Sequence, residues 1–167
     1  MLETIVAPAT PYGESSIGVI RISGSKALEI VKLLTKAKDF KNRYAHYRKI
    51  YLDNDIIDDA IVTFYESPNT YTGEDLVEIS CHGSVIIIRT IVSELVNLGC
   101  LMAEPGEFTK RAFLNGKLDL LQAESIASII KSKSDINLKN QQKILSGQLS
   151  SKLLIIKQKL LDVLSYF

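Results

Sequence analysis

All four prolines of this 167-residue chain lie at or before Pro105, so residues 106–167 carry no helix breaker of that kind. Beyond Asp135, Leu145, Leu149, Leu153, Ile156, Leu160 and Leu164 recur at steps of 4, 4, 3, 4 and 4. That spacing is one stripe along a helix, close to a coiled-coil seam. Asp119, with Gln122 three residues on, has the form of a capping box opening the helix before it. The tail is predicted to be a helix pair or hairpin in need of a partner surface. Its stop at Tyr166-Phe167, without a capping residue, reads as that of a truncated chain.

The front of the chain has a different period. Ser16-Ile17-Gly18-Val19-Ile20-Arg21-Ile22 is rich in β-branched residues and predicts a buried strand, with Thr4–Ala7 as a partner. Ser23-Gly24-Ser25 offers hydroxyls to cap a helix over Lys26–Thr35, whose Ala27, Ile30, Val31 and Leu34 share a face. A basic stretch, Lys36–Arg43, reads as loop. Tyr44–Leu52 and Asp59–Tyr65 read as strands, with Asn54 and the aspartates around it as the turn. Asp75–Cys81 alternates, with Val77, Ile79 and Cys81 on one side and Leu76, Glu78 and Ser80 on the other. A helix to about Asn97, stopped by Gly99, then a short strand at Leu101–Ala103 and a short helix from Pro105 to Leu114 complete the pattern. The expectation is an α+β fold, a mixed sheet with flanking helices followed by an all-helical segment.

Composition narrows the function. No apolar run approaches the roughly 18 residues that span a bilayer, and Met1-Leu2-Glu3-Thr4 lacks the basic start of a signal peptide. A cytoplasmic protein with no membrane association is expected. Cys81 and Cys100 sit in apolar segments and are expected to be reduced and buried. With only His46 and His82 to help them, no structural metal is expected. Residues 1–130 hold 13 Lys/Arg against 17 Asp/Glu, whereas residues 131–167 hold seven Lys against two Asp. A basic tail of that kind suits either nucleic-acid phosphates or the solvated face of a helix. Gly18 to Lys26 superficially suggests a phosphate-binding loop, but five residues separate Gly18 from Gly24, and Lys26 follows Ser25 instead of a glycine. No P-loop is read here, and the chain is not expected to hydrolyse GTP.

Five segments together are more specific. Thr4-Ile5-Val6-Ala7-Pro8-Ala9-Thr10-Pro11, Gly18–Gly24, Tyr71-Thr72-Gly73-Glu74-Asp75, Cys81-His82-Gly83 and above all Glu104–Leu120 resemble, in order, the MnmE/TrmE family of bacterial tRNA-modifying GTPases. The resemblance implies a folate-binding and dimerisation domain over residues 1–117, similar to the folate-binding domain of aminomethyltransferases, and the first part of a helical domain over 118–167. It also implies a formyl-tetrahydrofolate-type one-carbon donor, homodimerisation, and tRNA as substrate. The expected partner is the FAD-containing flavoprotein MnmG (GidA), with which the family forms an aminomethyl-type group on the wobble uridine. The family's GTPase domain uses GTP, Mg2+ and K+. No catalytic residue is expected within this chain.

Three positions match the family's folate contacts: Arg21, Glu78 and Lys117. A carboxylate such as Glu78 can accept paired N–H groups of a pterin, and Arg21 and Lys117 suit its carbonyl and carboxylate oxygens. Without the resemblance, an Arg and a Glu on neighbouring strands read as a structural ion pair, and Lys117 as a surface lysine beside a turn. Two departures bear on the pocket. Tyr12-Gly13-Glu14-Ser15-Ser16 replaces a glycine-rich stretch, and Ser84 replaces the second glycine after Cys81-His82. His82 either orients a ligand or caps the helix that follows.

Overall fold

A computed structural model describes residues 3–165; Met1-Leu2 and the terminal Tyr166-Phe167 lie outside the described residues. The chain divides into two compact units, Met1–Arg111 and Ala112–Phe167.

The first unit is built on a six-stranded mixed sheet in the order β3-β4-β5-β2-β1-β6. The strands are β1 (Ile5–Pro8), β2 (Ser15–Ser23), β3 (Ala45–Leu52), β4 (Asp55–Tyr65), β5 (Leu76–Gly83) and β6 (Leu101–Met102). All neighbours are antiparallel except β1 and β6. Helices α1 (Ala27–Thr35) and α2 (Val85–Asn97) cover one face. Ile20, Ile22, Ile50, Val62, Val77 and Ile79 from the strands meet Ile30, Val31 and Leu34 of α1 and Ile88, Ile91 and Leu95 of α2 in one buried cluster. Each such side chain contributes about 1.5–3 kcal/mol through burial. The alternation of strands then sends Arg21 and Glu78 to the other face. Cys81 and Cys100 are free and buried, and burial pushes both thiols up to about 11.

Three local expectations are corrected. The serines do not cap α1: its N-cap position is Lys26, with no side-chain cap, and the Lys26 N–H donates to Thr4 Oγ1 at 3.1 Å. The Ser23 hydroxyl is committed elsewhere, to Glu74 and Thr72. The second hairpin strand begins at Asp55 rather than Asp59, because a tight turn at Asp53-Asn54 pairs Leu52 directly with Asp55 and draws the aspartates into the ladder. Among the described residues the tail holds three helices rather than a pair.

Those are α4 (Leu120–Ile130), α5 (Asp135–Leu145) and α6 (Gln148–Leu164), which follow α3 (Glu107–Leu114). The leucine stripe crosses a break: Leu145 closes α5, and Gly147, at φ 79°, sits in the left-handed region where glycine has no Cβ penalty. The capping box is as expected, with Asp119 accepting from the Gln122 N–H and Gln122 accepting from the Asp119 N–H. Gln122 also donates to the carbonyl of Leu145, tying α4 to the end of α5. Among the described residues no helix is long and apolar enough to cross a membrane.

Gly24 combines a left-handed backbone with a close backbone neighbour. Its φ is 139°, and a Cβ there would lie 2.6 Å from the Thr4 Cα. Gly24→Ala is therefore expected to destabilise the protein by about 2 kcal/mol in urea unfolding.

Candidate functional site

The site begins with a register. Arg21 of β2 faces Glu78 of β5 directly, and Glu78 faces Thr63 of β4 on its other side. Arg21 donates from Nε (3.0 Å) and Nη2 (2.7 Å) to the single oxygen Oε1 of Glu78. Oε2 accepts a long contact from the Tyr65 hydroxyl, at 3.5 Å, and a carboxylate oxygen can accept more than one hydrogen bond. Burial, and then the negative Glu78 beside it, push the Tyr65 phenol above its ordinary range, which keeps it a donor. The Arg21 and Glu78 side chains are 29% and 27% exposed, open enough to be reached by a ligand and shielded enough to hold a fixed geometry.

Two aromatic rings flank the guanidinium. Its carbon lies 5.4 Å from the Tyr71 ring centre and 5.8 Å from that of Phe108, within the range of cation–π attraction. The rings are held by a buried network. Arg111, 3% exposed, donates to both oxygens of Glu74 (3.0 and 3.3 Å) and to Oε1 of Glu107 (2.8 and 3.2 Å). Glu74 also accepts from Ser23, which bonds to the fully buried Thr72. The Tyr71 hydroxyl meets that of Thr109 on α3 at 2.8 Å. Burial works to raise the Glu107 carboxyl, but the Glu104 N–H and the Arg111 guanidinium more than offset it and hold it below the usual carboxylate range.

Of the three residues singled out from the sequence, Arg21 and Glu78 meet. The bonds between them are those of the ion pair that residue types alone suggest. Lys117 belongs to the second unit, just after Gly116 (φ 69°), and its N–H donates to the Ala112 carbonyl at 2.8 Å. Tyr65, Tyr71, Phe108 and Arg111 were not singled out for the site. Tyr71, Phe108 and Arg111 stand in the conspicuous Tyr71–Asp75 and Glu104–Leu120 blocks, whose density of polar and aromatic residues was the available signal.

His82 has a partner that the sequence did not suggest. Its N–H donates to Oδ2 of Asp58 at 2.8 Å and its Nδ1 lies 2.6 Å from Oδ1, so the buried Asp58 orients the ring. Ser84 occupies the N-cap of α2 at φ −84° and ψ 130°, a backbone any residue adopts, so serine in place of glycine introduces no strain.

Residues 4–117 match the family described as GTP-binding protein TrmE N-terminus. The chain belongs to that family. It is similar to the tRNA modification GTPase MnmE of Aquifex aeolicus (strain VF5), 47% identical over 168 residues, which cover 99% of this chain and 38% of that protein. It is also similar to the tRNA modification GTPase MnmE of Francisella tularensis subsp. holarctica (strain LVS), 50% identical over 164 residues, which cover 98% and 36%. The chain thus spans little more than a third of the length of these relatives. In this TrmE N-terminal domain the Tyr71–Asp75 and Glu104–Leu120 blocks are the two sides of the Arg111 network.

Removing Arg111 would leave Glu74 and Glu107 facing each other without a counter-charge. Arg111→Ala is expected to destabilise the protein by about 3–5 kcal/mol at neutral pH in denaturant titration. Because Glu107 is held below its ordinary range, its share of the stability is present above the unfolded-state value of about 4.3 and fades as pH falls through the lower folded value. The gap between wild type and variant is therefore expected to narrow in acid.

Proposed function

We propose that this chain is the folate-binding, dimer-forming part of a cytoplasmic tRNA-modifying GTPase, with a sheet related to that of folate-dependent aminomethyltransferases. The observation that carries the reading is the Arg21–Glu78 pair on an accessible sheet face, walled by Tyr71 and Phe108. A reduced pterin offers neighbouring N–H donors, and Glu78 has an oxygen with acceptor capacity to meet them. Arg21 holds the Glu78 side chain in place, and its guanidinium suits a carbonyl or carboxylate oxygen of the carrier. Tyr71 and Phe108 supply flat apolar surface for the conjugated rings. Lys117 is the third contact by its match to the family motif. A formyl-tetrahydrofolate-type molecule would bring the one-carbon unit, and the chain's own residues bind and orient it.

In this reading the GTP, Mg2+ and K+ sites belong to the part of such proteins outside this chain. The whole protein acts with the FAD-carrying MnmG (GidA) on the wobble uridine of tRNA. The names of the relatives, tRNA modification GTPases, support the tRNA and GTP assignments.

Isothermal titration of the chain with 5-formyltetrahydrofolate tests the ligand. Saturable heat is expected for the wild type. Glu78→Ala and Arg21→Ala are each expected to weaken binding at least tenfold, about the value of one charge-assisted bidentate contact, with far-UV circular dichroism unchanged. No heat at high protein concentration overturns the folate reading in favour of a purely structural ion pair.

A further inference from the structure

We infer that the segment Lys36–Tyr51, which leads into and includes most of the edge strand β3, is a contact surface for single-stranded RNA, the loop regions of the tRNA substrate; this rests on the tRNA part of the reading above. The segment holds six of the 13 Lys/Arg found in residues 1–130, namely Lys36, Lys38, Lys41, Arg43, Arg48 and Lys49, and only Asp39 of the 17 carboxylates. The remainder of residues 1–130 is therefore strongly acidic, and this stretch opposes it. Among the described residues no carboxylate forms an ion pair with any of the six. Asp59 faces Lys49 across the ladder without pairing to it. Uncompensated like charges clustered along one edge repel one another, and a polyanion relieves that repulsion with release of its counterions.

Aromatic rings are interleaved with the cations. Phe40, Tyr44, Tyr47 and Tyr51 fall within the same segment, and Tyr44 and Tyr47 are 54% and 63% exposed. Tyr44 packs edge-on to His46 at 5.0 Å, and His46 edge-on to Phe40 at 5.2 Å, so the cluster is preformed. Cations beside exposed flat rings are what unpaired bases and their phosphates require, since the bases stack while the backbone is neutralised. Duplex RNA hides its base faces and has no use for the tyrosines.

The edge also leads to the proposed one-carbon site. β3 pairs with β4 and β4 with β5, and the Arg43 guanidinium lies over the Tyr65 ring at 5.6 Å, the same Tyr65 that contacts Glu78. Two strand spacings, roughly 10 Å, separate β3 from the strand that carries Glu78. RNA on this edge would lie beside the carrier.

The test uses the intact chain and a fluorescein-labelled unmodified tRNA transcript, read by anisotropy across a salt series, with single-stranded and duplex RNA as competitors. Wild type is expected to bind, to lose affinity steeply with salt, and to be displaced by the single strand in preference to the duplex. Lys38→Glu with Lys41→Glu is expected to weaken binding at least tenfold and to flatten the log–log salt slope by about one to two units. Tyr47→Ala is expected to weaken binding about fivefold or more with the slope unchanged. Lys139→Glu with Lys143→Glu, in the basic tail, is expected to leave binding within twofold of wild type. Absence of wild-type binding at low salt overturns both the surface and the tRNA reading of this chain. Binding that ignores the edge variants, or that follows Lys139 and Lys143 instead, overturns the surface alone. Neither result touches the folate titration.

Discussion

The pairing of β2 with β5 is the constraint on which the first unit depends. Both strands alternate, and their register sets Ile20 beside Ile79 and Ile22 beside Val77 on the helix-covered face, while Arg21 meets Glu78 on the other. A slip of one residue would turn an arginine and a glutamate into a core sealed by α1 and α2 and bring the isoleucines out. The hydrophobic core and the charged pair are thus enforced by the same ladder. Neither can move without the other, so the pair is preorganised by burial that has nothing to do with a ligand.

Arg111 solves a different problem. The Tyr71–Asp75 loop has little regular backbone pairing of its own, yet Tyr71 must be held against Arg21. A buried guanidinium is expensive unless every donor finds an acceptor, and Arg111 meets Glu74 on the loop and Glu107 on its own helix. Such a pair contributes little net stability compared with apolar packing. Its effect is to make one loop position far better than any other. Ser23, next but one to Arg21 on β2, joins that network through Glu74, so the loop is referenced to the strand that carries the site.

The elements of the sheet are legible in the sequence because period-two and period-3.6 patterns are local. Arg21 and Glu78 are legible as a pair of types, and the fold turns that into a contact. What is not legible depends on partners distant in the chain. Ser23 looks like a helix cap until Thr72 and Glu74, some fifty residues on, claim its hydroxyl. His82 is read as a cap or a ligand-orienting group, and its partner Asp58, in another strand, cannot be read from the sequence around it. The leucine stripe after Asp135 looks continuous because its spacing survives the break at Gly147, and one glycine in a helical pattern is weak evidence against continuity.

The basic edge has a simpler rival, in which its lysines only prevent sheet-to-sheet association, as edge charges commonly do. Edge protection needs charge on the edge strand itself. Here only Arg48 and Lys49 lie within β3, whereas Lys36, Lys38, Lys41 and Arg43 precede it. Protection also gains nothing from Tyr44 and Tyr47, since exposed rings on an edge make association easier. A surface that combines an excess of cations lacking carboxylate partners among the described residues with exposed aromatic rings is poorly designed to be left alone and well suited to unstacked bases on a phosphate chain. By register Tyr47 and Lys49 share the open face of Arg21 and Glu78, so RNA stacked on Tyr47 would lie on the side from which the pair is reached.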